Sequence, residues 1–337
     1  MKSHKLTSSL KGLHKWVLIA VVLSIPCVVT NLYYLHLINL IGIYSLVVIG
    51  LNILSGYTGQ VSMGQAGFFA VGTYTSALLM MKLQAPFWVA TVMAAIVAAI
   101  FGVVIAIPAL RLTGPYLVMA TVGFGEIIRL VLVNWVPVTK GAAGLTGIPA
   151  PSFFGFTVFS ERSFFYLIYA VVALGILVAV RISRSKIGRT FMAIREDELA
   201  AESMGVPTNI YKVAAFAIGA AYAGVAGSIF GSFSGVASPD GFTFDDSVGF
   251  LCMSVIGGNR SIFGALIGSI TLTLLSELLR FMQSYRLIVY GAILLLTAIF
   301  MPQGLSGLGP ILREFLSRRK RDNKFYDDVQ CSQRKGR

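Results

Sequence analysis

Charge is scarce in this sequence. Of its 337 residues only 12% are Asp, Glu, Lys or Arg, where a soluble domain carries about a quarter. Histidine and cysteine number three each, and all the histidines (His4, His14, His36) precede residue 37. These shortages exclude most catalytic chemistry. No Gly-Lys dipeptide occurs, so the usual phosphate-cradling G-x-x-x-x-G-K-[ST] loop is impossible and the chain hydrolyses no ATP through that motif. H-E-x-x-H, Cys/His clusters at metal spacing and G-x-S-x-G turns are also missing, and no paired catalytic groups stand out in the apolar runs. The expectation is a protein that is not an enzyme and uses no cofactor or metal. Cys27 and Cys252 fall in apolar runs and Cys331 in a basic tail, which gives no disulfide framework.

Apolar residues are abundant, at 56% of the chain with a mean hydropathy of +0.80. A helix needs about 20 of them in a row to cross a bilayer. Runs of that kind cover 16–30, 33–54, 61–81, 86–110, 116–136, 163–182, 213–235, 242–257, 261–280 and 286–301. They predict an all-α polytopic membrane helix bundle of eight to ten spans, some of them broken by glycine. A barrel would need short alternating strands, and these are absent. The run from Trp16 reaches Pro26 without a small-residue cleavage site, so it reads as a span rather than a cleaved signal. The chain then divides into a basic tail at 1–15, a transmembrane domain at 16–310 and a second basic tail at 311–337.

The net charge of +13 is a topology signal before it is anything else. Four Lys lie in 1–15, six Lys or Arg in 181–212 and nine in 302–337. With ten spans these regions share one side, which the positive-inside rule makes the cytosol. Lys82, Lys140, Arg162, Arg280 and Arg286 remain outside, and Arg129 lies within the bilayer. The partner implied by the basic excess is therefore a lipid membrane and not nucleic acid. The 318–324 run RRKRDNK suits anionic lipid.

Residues 181–212 form the one long charged segment inside the chain, with six basic and four acidic residues. Glu196, Asp197 and Glu198 suit the positive end of a short helix. Gly205 followed by Pro207 makes a helix stop, and Leu199 and Met204 stand beside the acids. A short capped helix between two spans is what a membrane subunit needs to dock on a soluble partner; a solvated tether fits the same pattern.

Two glycine-rich segments interrupt the apolar runs, at 56–74 and 257–269, the second holding Gly264 and Gly268 as a G-x-x-x-G pair. Tight helix packing explains most of these glycines. Gln60, Ser62 and Gln65 are harder to explain that way, because polar amides at membrane depth face a cavity or a partner. Glu126 and Arg129, three apart on one helix face, either neutralise each other or line a route. Asp245 and Asp246 read as solvated starts of a span, and the 137–162 loop as a shaped external segment.

Read together, several stretches resemble the branched-chain amino acid permease family of ABC importers, and within it the M-type membrane subunit. They are LNILSGYTGQVSMGQAGFFAVG at 51–72, AIREDELAAESMGV at 193–206, YKVAAFAIGAAYAGVAG at 211–227, SPDGFTF at 238–244 and MPQGLSGL at 301–308. Arg260 departs from the family's usual Gly. The resemblance implies a second permease subunit, giving a heterodimer, with two cytosolic ATPase subunits and an external substrate-binding protein in a bacterial cytoplasmic (inner) membrane. Both termini would be cytosolic, and 183–212 would be the coupling loop. It places Arg195, Glu196, Asp197, Leu199, Glu202, Met204 and Gly205 against the ATPase, with Glu202 and Gly205 at the acidic and Gly positions of the docking motif. Leucine, isoleucine and valine are the implied substrates, with urea or short-chain amides as an alternative. An ion-driven secondary transporter would need a buried ionisable relay, for which only Glu126 and Arg129 qualify.

Overall fold

The computed structural model describes residues 31–300, with Pro26 and Val29 ahead of them, save 110, 113, 154, 155, 260 and 279–285. Both basic tails, most of the 16–30 run, Cys27, Cys331, Arg260 and Arg280 therefore lie outside the described residues.

The long apolar runs become helices. Helix α1 (Leu32–Leu51) continues as a π-helical stretch at Asn52–Tyr57, and the chain is then irregular to residue 64. Next come α2 (Gln65–Lys82), α3 (Phe87–Ala109), α4 (Pro115–Asn134) and the short α5 (Val136–Thr139). They are followed by α6 (Glu161–Arg184), α7 (Lys186–Glu196), α8 (Glu198–Ser203) and α9 (Thr208–Ser234), then α10 (Phe244–Gly257), α11 (Ile262–Leu278) and α12 (Arg286–Phe300). Among the described residues five helices are long and apolar enough to cross a membrane: Leu32–Tyr57, α3, α4, α6 and α9. Helices α10, α11 and α12 have 14, 17 and 15 residues. The 61–81 run differs from the sequence reading: its first four residues are not helical, and α2 begins only at Gln65.

Two helices form the axis of the bundle. The Leu32–Tyr57 helix is 83% buried over its apolar window and α9 61%, against 33%, 22% and 28% for α3, α4 and α6. Helix α9 packs on α1, α2 and α3, and α1 also packs on α6, α10 and α11. In lipid there is no hydrophobic drive between helices, so close packing must supply the association. Gly72 shows how: a Cβ there would overlap the backbone of Gly224, so α2 and α9 touch main chain to main chain. Helix α3 turns Val89, Val92, Ile96, Ile100 and Val104 outward at spacings of three and four residues, a continuous apolar stripe suited to lipid.

The 137–162 loop does acquire a shape. Strand β1 (Leu145–Thr146) pairs antiparallel with β4 (Val236–Ala237), with Leu145 opposite Ala237, and β2 (Ser152–Phe153) pairs with β3 (Phe156–Thr157). Tyr74 of α2 donates to the Ala237 carbonyl at 2.9 Å, which ties that corner to the bundle.

Candidate coupling site and translocation path

The charged 181–212 segment folds into two helices, where the sequence suggested one. Ser185 starts α7 by accepting from Gly188 N at 3.3 Å, and Gly188, Phe191 and Ile194 turn inward. Asp197, at φ −156 and ψ 109, ends α7 and caps α8 by accepting from Ala200 N at 3.0 Å. The acidic run is thereby divided. Asp197 and Glu198 do sit at the positive end of α8, but Glu196 is the last residue of α7, the unfavourable end for a negative charge. Gly205 takes φ +83 and its N–H reaches the Glu202 carbonyl at 2.9 Å, closing α8 before Pro207. Leu199 is 76% and Met204 84% exposed, and Glu202 is exposed beside them.

Two basic residues fasten this pair of helices to the bundle. Arg195 of α7 donates to the Gly56 carbonyl in the π-helical stretch. Lys212, buried in the first turns of α9, donates to Glu198 of α8. Sequence reasoning missed Lys212 because a lysine at the start of a span reads as a topology charge; its partner lies 14 residues away across the Gly205–Pro207 stop. Between these elements opens a cavity of about 720 Å³, lined by the 58–61 segment, by Leu112, Gly114, Pro115 and 117–119 around the start of α4, and by 194–198 and Lys212.

Gln60, Ser62 and Gln65 lie in and around the break between α1 and α2, at 9%, 0% and 0% exposure. Ser62 accepts from Gly64 N at 3.3 Å. Among the described residues five buried side-chain polar atoms have no partner, and three of them are Gln60 Oε1 and both polar atoms of the Gln65 amide. Such atoms are costly unless something satisfies them in another state. The backbone beside them is held by other chains of atoms: Met63 N donates to Thr121 Oγ1 and Ala66 N to Ser247 Oγ, both at 3.1 Å.

Glu126 and Arg129 do form an ion pair, with Nη2 to Oε1 at 2.6 Å and Nε within 3.1 Å of both carboxylate oxygens. Arg129 also lies 3.9 Å from Asp240, in the turn between α9 and α10. Sequence spacing gave the first partner and not the second. A small cavity of about 10 Å³, room for about one water, sits beside Glu126 among Met63, Ala66, Gly125, Phe242 and Ser247. Asp246 departs from the expected solvated span start: its carboxylate accepts from Thr243 N at 3.0 Å and the Thr243 hydroxyl at 2.8 Å, capping α10. Asp245 is exposed. The structure brings Gln60 and Arg195 to one cavity, while Glu126, the partner of Arg129, borders a different one.

The family described as "Branched-chain amino acid transport system / permease component" matches residues 33–298. The high-affinity branched-chain amino acid transport system permease protein LivM of Escherichia coli (strain K12) is 37% identical over 286 residues, covering 78% of this chain and 67% of the relative. The permease protein LivH of the same strain is 27% identical over 294 residues, covering 78% and 91%. The autoinducer 2 import system permease protein LsrC of Salmonella paratyphi B is 27% identical over 229 residues, covering 63% and 61%. No solved structure matches the chain.

Proposed function

We infer the function from one premise: the chain belongs to the branched-chain amino acid transport system permease family. It is a multi-pass permease subunit of an ABC importer of the inner membrane and not an enzyme. It works with a partner permease, ATPase subunits and a binding protein. We propose that it imports leucine, isoleucine and valine, that its partner permease is a different chain, and that one of the complex's two ATPase subunits docks on α7–α8. Both termini and 183–212 would lie in the cytosol. The observation that carries this reading is the α8 unit itself. A capped helix bears two exposed apolar side chains, Leu199 and Met204, beside Glu202 and is fastened from behind by Lys212 and Arg195. Its exposed side chains suit an apolar contact ringed by charge.

The route for solute is proposed to pass Gln60, Ser62, Gln65, Glu126 and Arg129. Unpartnered amides at a helix break support this, because broken helices in transporters supply polar groups to a passing solute. Glu126 and Arg129 complement the ammonium and carboxylate of an amino acid zwitterion. Reconstitution of the chain with its partner permease, ATPases and binding protein tests the reading: ATP-dependent leucine uptake is expected, abolished by Leu199→Glu with Met204→Glu. Uptake of urea or short-chain amides with no leucine uptake would favour the alternative substrate. Uptake driven by an ion gradient without ATP would overturn the whole assignment.

A further inference from the structure

We propose that Arg195 is a positioning residue that carries movement of the docked α7–α8 pair into the break between α1 and α2. The proposal rests on the coupling role given above and names its route. Arg195 donates to the Gly56 carbonyl, near the end of the π-helical stretch. Carbonyls at a helix end lack partners within the helix, and π-helical stretches concentrate at functional sites; here a guanidinium from another element satisfies one. The Arg195 stem also lies along Gly59, where φ is +75 and a Cβ would stand 3.2 Å from Arg195 Cγ.

Gly56 is pinned from its other side as well. A Cβ there would overlap the Asn259 carbonyl of the α10–α11 turn. Asn52 donates to the Ser261 carbonyl at 3.0 Å, and Ser254 Oγ lies 2.7 Å from both Asn52 Oδ1 and Asn259 Oδ1. The π-helical stretch, the α10–α11 turn and α7 are thus one hydrogen-bonded unit. Gln60, with its unpartnered amide oxygen, follows Gly59 directly and lines the same cavity as Arg195. A shift of α7 cannot leave the break where it is without losing the Arg195 bond.

The test compares ATP consumed per leucine imported by the reconstituted complex, using wild type, Arg195→Met and Arg195→Lys. Arg195→Met keeps the stem and removes the donor. It is expected to raise the ratio at least about five-fold, the lower end of ordinary coupling between sites, while the ATPase subunits co-purify at wild-type yield. Arg195→Lys, which offers the carbonyl an ammonium, is expected to restore part of the coupling. Gly59→Ala, which crowds the Arg195 stem without removing a donor, is expected to raise the ratio too and serves if Arg195→Met does not accumulate. An unchanged ratio in Arg195→Met and Gly59→Ala overturns the proposal; so does loss of ATPase co-purification in Arg195→Met, which would make Arg195 a docking residue. The ratio is read on whichever solute the complex imports, so failure of the leucine assignment leaves this test intact.

Discussion

Lys212 and Glu198 form a pair whose two halves are unequally buried, and the inequality makes a prediction. The Lys212 side chain is 11% exposed and that of Glu198 41%. Removing one partner of a fully buried pair costs about 3–5 kcal/mol, because the survivor is left charged and dry. Glu198→Gln strands the ammonium, and the half-open side of the pair lets water offset part of the loss, so about 2 kcal/mol is expected. Lys212→Met keeps most of the buried stem and leaves a carboxylate that hydrates where it stands, at a cost below about 1 kcal/mol. The double variant should resemble Lys212→Met alone, so it loses about 2 kcal/mol less than the two single losses added, which is the coupling energy the cycle returns. The measurement is the unfolding midpoint of the purified chain in detergent for the four proteins. Equal losses in both single variants, or additivity in the double, would refute the argument that burial of the lysine sets the cost.

Three further outcomes follow from the same geometry. Gly205→Val places a branched side chain at φ +83, where the space around it is open; the cost is conformational, about 1 kcal/mol or more, and leucine uptake should fall while membrane insertion is unchanged, as membrane-fraction yield will report. Gly56→Ala should destabilise the purified chain by about 1–3 kcal/mol through overpacking on the Asn259 backbone, whereas Gly123→Ala, with nothing within 4 Å, should leave the unfolding midpoint equal or higher. Cysteines placed in 183–190 should be labelled only from the cytosolic side and those in 141–150 only from outside; labelling of both from one face would refute the orientation.

Much of the bundle is legible in the sequence because one physical rule governs it. Apolar length marks a span, and α3, α4, α6 and α9 fall within or close to the runs that predicted them. Gly205 was also readable, since a helix stop before Pro207 leaves little else for a glycine to do. The Thr243–Asp246 cap has a sequence signature, but acidic residues at the start of an apolar run suit a solvated span entry equally well. What the sequence does not disclose are the pairings between elements far apart in the chain. Arg195 meets Gly56 across 139 residues and Asn52 meets Ser261 across 209. Neither follows from spacing along one helix: the first brings α7, and the second the α10–α11 turn, to the π-helical end of α1.

Those long-range pairings explain how so few charges are used. A charge inside a membrane bundle is expensive unless paired or facing water, so a chain this poor in charge spends it sparingly. Arg195 joins α7 to the π-helical stretch, Lys212 joins α9 to α8, and Arg129 pairs with Glu126 on its own helix and lies near Asp240 of the α9–α10 turn. Uncharged packing holds the two axial helices together, with Gly50 set against Gly219 and Tyr222. These three cations sit instead beside the cavity next to α7 and near the turn before α10. An ion bond there can exchange partners without the bundle losing its packed core, which a glycine contact cannot do.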